Sequence, residues 1–98
     1  MAMPIRAPKY SALRDFLRGY LHEDFAEEHG TLRKAIADFK HHSDWDVTAL
    51  VAHQFHNYIT ENQGEPIEDV NEVLAKLGCA YEFLSWDELL DFEKLLYS

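Results

Sequence analysis

Val47, Leu50, Val51, Phe55, Tyr58 and Ile59 recur three and four residues apart, and they form the longest apolar face in the chain. A stripe of that period fits one side of an α-helix, so this stretch must find other apolar stripes to pack against. The sequence supplies them. Tyr10, Leu13, Phe16, Leu17 and Tyr20 mark a first helix from about Pro8 or Lys9 to Gly19. Leu32, Ala35, Ile36 and Phe39 mark one that runs to about His42, with Thr31 where an N-cap belongs. Ser43 and Asp44 both suit the start of the central helix, and Asn62-Gln63-Gly64 ends it. Pro66 then suits the first turn of a helix that buries Ile67, Val70, Val73, Leu74 and Leu77 and stops at Gly78. Ser85-Trp86-Asp87-Glu88 is a capping box, opening a last helix with Trp86, Leu89, Leu90, Leu96 and Tyr97 inward. Cys79 to Leu84 is too apolar for an ordinary loop and could be extended, but it is short and no other strand-like segment pairs with it. The expected fold is all-α, a single small bundle of about five helices over residues 9–98. Residues 1–8, with Pro4 and Pro8, form a loose N-terminal arm.

Ninety-eight residues suffice for one core without disulfides or metal. No apolar run approaches the roughly 20 residues of a membrane-spanning helix. The N-terminus has no apolar core of signal-peptide length, and one cysteine, Cys79, cannot form an internal disulfide, so a cytoplasmic address is expected. The net charge of −9 is unevenly spread: residues 1–40 carry +1 and residues 41–98 carry −10. Such a surface repels nucleic acid and anionic membranes and attracts basic partners.

The least generic stretch is Gly19-Tyr20-Leu21-His22-Glu23-Asp24-Phe25. Gly19 interrupts the first stripe as a helix-ending glycine would, and residues 23–29 form a short helical piece closed by Gly30. In this structural motif Tyr20 and Phe25 are large enough to pin the link to a core. His22 and Asp24 offer polar atoms to unpaired helix ends, with Asp24 expected as a cap.

G-Y-L-H-E-D-F followed by Gly30 resembles the Y-F-H-Q-D-W signature of the all-helical immunity proteins of bacterial contact-dependent growth inhibition systems. Leu21, Glu23 and Phe25 stand where that family usually has Phe, Gln and Trp. Leu77-Gly78, Cys79-Ala80-Tyr81 and Trp86-x-x-Leu89-Leu90 are similar in order and spacing to the family's C-terminal half, so the resemblance covers roughly residues 13 to 96. It implies a job without catalytic residues or cofactors: binding and neutralising the C-terminal domain of a toxin, often a nuclease, delivered by a neighbouring cell.

The residues themselves point away from chemistry. His53-x-x-His56 places two imidazoles near each other on a helix, and His22, Asp24, Glu28 and His29 form a second candidate cluster. Zinc wants three or four ligands in a recognisable set, however, and neither group has one. Cys79 and the few serines lie in no nucleophile motif, and four glycines make no phosphate loop. A His22–Asp24 acid/base pair is outweighed by a structural role for both. No catalytic residue, metal ligand or cofactor is therefore assigned.

The acidic residues carry the functional expectation. Glu65, Glu68, Asp69 and Glu72 share the side of their helix opposite its apolar stripe, and Asp87, Glu88 and Asp91 likewise cluster on the last helix. Lys76 and Lys94 are the only cations in these two helices, so the like charges are barely compensated. Asp44, Trp45 and Asp46 add an aromatic anchor between two carboxylates. These ten positions are the expected partner-binding residues, for a basic nuclease toxin rather than for nucleic acid or membrane. An acidic helical adaptor or regulator of another basic protein is the alternative.

Overall fold

The computed structural model describes residues 10–28 and 30–97, apart from the Phe25 side chain. The expected arm of residues 1–8, the packing of Phe25 and the placement of His29 lie outside the described residues. Six helices follow one another in the described residues: α1 (Ser11–Tyr20), α2 (Phe25–Glu28), α3 (Leu32–His42), α4 (Trp45–Glu61), α5 (Ile67–Lys76) and α6 (Trp86–Tyr97). Among the described residues there is no strand, and the connector from Cys79 to Leu84 is irregular.

α4 is the spine, packing against α1, α3 and α6. Val51, Ala52, Phe55, Tyr58 and Ile59 face inward, but the first turns of the stripe do not, since Val47 is 43% exposed and Leu50 48%. Trp45 stands outside altogether at 85%. In α6 the inward stripe is rotated from the expected one. Leu89, Phe92 and Leu96 are buried and Trp86 is half-buried, while Leu90 and Tyr97 face outward. Phe92 is the aromatic hub, with ring centroids 5.4 Å from Phe55, 5.3 Å from Phe83 and 6.1 Å from Phe16. Phe16 in turn lies 4.6 Å from Phe39, so α1, α3, α4, α6 and the connector meet in one aromatic core.

Helix ends are capped partly by local residues, as expected, and partly by distant ones. Thr31 accepts the Lys34 N–H at 3.1 Å. α5 ends in a Schellman turn: the Gly78 and Cys79 N–H groups donate to Ala75 and Leu74, with Gly78 at φ +104°. Three further caps come from the flanks of other helices. Buried Gln54 of α4 accepts the Leu13 N–H in the first turn of α1 at 2.9 Å. Arg18 of α1 donates Nε to the Leu77 carbonyl at the end of α5, 3.3 Å away. Lys40 of α3 donates Nζ to the Leu95 carbonyl near the end of α6 at 2.7 Å. The first two satisfy backbone groups, the Leu13 N–H and the Leu77 carbonyl, at ends where a helix lacks its own partners. No helix among the described residues is long and apolar enough to cross a membrane.

Candidate functional site

The Tyr20 to Phe25 link is built differently from its expected form. Gly19 does not end α1, which runs on through it to Tyr20. Tyr20 is half-buried against Phe16 and Phe39, with ring centroids at 5.9 and 5.3 Å. The neighbouring Leu21 is fully buried, so an aliphatic side chain helps to pin the link. Asp24 is exposed and does not cap through its carboxylate. Its carbonyl accepts the Glu27 and Glu28 N–H groups that open α2, and its own N–H donates to His22 Nδ1 at 3.1 Å. His22 is the polar centre here, its Nε2 meeting the Glu28 carboxylate at 3.2 Å.

The link is bonded to the connector. The Ala80 N–H donates to the Leu21 carbonyl at 2.6 Å. The Arg18 stem lies where a Cβ on Gly78 would go, 2.5 Å from its Cγ, so α1 seats directly on the glycine turn. Across α5, the Asn71 side-chain amide takes both backbone groups of Phe83, accepting its N–H at 2.9 Å and donating to its carbonyl at 2.8 Å. These bonds hold link, α5 and connector around one surface groove of about 710 Å³, lined by Glu23, Glu68, Asn71, Glu72, Ala75, Cys79, Ala80, Tyr81 and Glu82. Four carboxylates from three segments face it, and the lining contains no cation.

Of the ten expected partner-binding residues, only Glu68 and Glu72 reach this groove. Glu23 and Glu82 were missed by the sequence reasoning, because each lies in an irregular stretch rather than on a helix face, and the Leu21–Ala80 and Asn71–Phe83 bonds bring link, connector and α5 together. Glu65 and Asp69 are half-buried, and the Glu65 carbonyl accepts the Trp86 indole N–H at 2.6 Å. Asp87 and Asp91 are exposed on α6, Asp91 lying 3.9 Å from Lys94. Glu88 does not sit on that open face. Its backbone N–H takes the Ser85 hydroxyl, and its carboxylate accepts the Leu84 N–H and the Tyr81 hydroxyl, each at 2.8 Å. Asp44, Trp45 and Asp46 form a separate corner at the start of α4.

Cys79 is buried beside the groove, its Sγ donating to the Tyr81 carbonyl, and burial pushes its thiol up from 9.0 to about 11. A thiol held protonated is a poor nucleophile. Burial, then the bond to Glu88, raises the Tyr81 phenol to about 12. His53 is spent on Asn57 at 3.3 Å and His56 on Glu93 at 2.8 Å. Among the described residues no three His, Cys, Asp or Glu side chains gather as a metal would need.

Fold and surface together define a small all-α protein whose candidate site is a charged surface groove. The chain belongs to the CdiI immunity protein family, a sequence model of which matches residues 9–90. No curated protein and no solved structure matches it. It is an immunity protein of contact-dependent growth inhibition systems, and the partner this implies is a cognate toxin.

Proposed function

We propose that this protein neutralises a basic nuclease toxin by docking onto it through its acidic surface, acting in the cytoplasm and without chemistry of its own. The observation that carries the reading is the groove formed by Glu23, Glu68, Glu72 and Glu82, whose lining has no compensating cation. A nuclease presents Lys and Arg to hold phosphates, so an acidic groove can take the place of the nucleic acid, steer the encounter and keep substrate out. The protonated thiol of Cys79 suits a binding role, and a free buried cysteine suits a reducing compartment.

The test pairs the purified protein with its cognate toxin domain and follows nucleic-acid cleavage. Stoichiometric inhibition that weakens when Glu68 and Glu72 are both changed to lysine is the expected result. A toxin that binds tightly but cleaves no nucleic acid removes the nuclease assignment, and unchanged inhibition by the reversed protein removes the groove.

A further inference from the structure

We propose that Trp45, bracketed by Asp44 and Asp46, is a recognition site for an arginine of the toxin domain, an inference that rests on the immunity reading above. Asp44 holds the N-cap position in extended backbone, at φ −69° and ψ 155°, and this sets Trp45 at the outer corner of the molecule as the first residue of α4. The indole is 85% exposed, and among the described residues it has no ring contact and no hydrogen bond. The flanking carboxylates are little used. Asp44 gives α4 no side-chain cap, and Asp46 accepts only the adjacent Val47 N–H, at 3.1 Å.

Beside the indole runs a groove of about 540 Å³, with Ala49 and Ala52 of α4 and Leu96 and Tyr97 of α6 in its lining. Lys40, Ser43 and Thr48 line it as well; the Lys40 ammonium keeps its charge but is held by the Leu95 carbonyl. An exposed indole face with a carboxylate on either side of it in the chain, beside a groove of mixed polar and apolar lining, matches one side chain. The guanidinium of arginine stacks on the ring, its planar fork pairs with a carboxylate, and its methylene stem lies along the alanines and leucine. Lysine fits less well, because a compact ammonium has no plane to stack and no fork to present. Charge selects the occupant. Residues 41–98 carry −10, which favours a basic partner, whereas a second copy of this chain would bring a further −9.

The site lies at the start of α4, apart from the residues that line the acidic groove, so the two can be tested separately. Binding of the cognate toxin domain is measured by surface plasmon resonance, with circular dichroism to show that each variant is folded. Trp45→Ala should speed dissociation at least tenfold, Trp45→Phe should lie between it and the wild type, and Asp44→Asn with Asp46→Asn should also weaken binding. One toxin arginine, changed to lysine, should reproduce the loss and should add nothing in the Trp45→Ala background. Dissociation within twofold of wild type for Trp45→Ala and for the double Asn variant overturns the site while leaving the immunity reading intact. If the wild-type protein fails to bind the toxin domain, both fall together.

Discussion

Gln54 is a polar side chain inside a core of aromatic and aliphatic ones, and its value lies in one bond to a backbone group of another helix. Gln54→Leu keeps a similar volume but strands the Leu13 N–H, so a loss of about 1–3 kcal/mol is expected in urea unfolding. Gly78 makes a second case. Its φ of +104° is costly for any other residue, and an added Cβ would meet Arg18 Cγ at 2.5 Å. Gly78→Ala should therefore cost more than about 1 kcal/mol. Arg18→Ala, which leaves the nearest Arg18 atom at 3.5 Å, should reduce that penalty in a double-mutant cycle. Little of this is legible in sequence. Thr31 and Ser85 could be assigned because a cap acts within three residues, whereas Gln54 and Leu13 are 41 apart. Asp24 looked like a cap for the same local reason, but its exposed carboxylate leaves the bonding to His22. Loss of stability is thus expected from His22→Ala rather than from Asp24→Ala, as thermal melts of the two would show.

Helices themselves were readable, because the period of apolar residues reports which side of a helix faces inward. Period says nothing about where a neighbour stops. α4 has 17 residues and α1 only 10, about 25 and 15 Å at 1.5 Å per residue. Val47 and Leu50 remain outside although they continue the stripe. In α6 the expected stripe holds at Leu89 and Leu96, with Trp86 half-buried against the core, but Leu90 and Tyr97 face outward and Phe92 takes the inward place instead. The acidic reading of α6 changes with it. Glu88 ties the helix start to Leu84 and Tyr81, so Glu88→Lys should lower the melting temperature, while Asp87→Lys with Asp91→Lys should leave it nearly unchanged. Calorimetry on the two variants separates a structural carboxylate from surface ones.

At the scale of the whole molecule, the phenols and the thiol set a limit on the alkaline side. Tyr10, Tyr58, Tyr81, Tyr97 and Cys79 are all raised, chiefly by burial, from ordinary values of 10.0 and 9.0. A raised acid favours the protonated folded state. Its stabilisation is complete below the unfolded value and is lost as pH climbs through the folded one. Melting temperature should accordingly hold up to about pH 9 and fall steadily through pH 11 to 12, where Cys79 and Tyr81 ionise. Charge is the other molecular property. Reversing Glu68 and Glu72 should slow toxin association and flatten its salt dependence, as stopped-flow mixing at two ionic strengths would show. That the chain is acidic was evident in its composition, but the convergence of Glu23 and Glu82 on α5 depends on tertiary bonds. Those bonds also divide the labour among side chains. Gln54, Arg18 and Lys40 bond their helices to the ends of others and Asn71 and Glu88 bond theirs to the connector, whereas among the described residues the side chains of Trp45, Asp44, Glu68, Glu72, Asp87 and Glu23 make no such bond. With docking through these side chains as proposed, a handful of substitutions can retune the protein to a new toxin and leave its folding untouched, and specificity can drift faster than architecture.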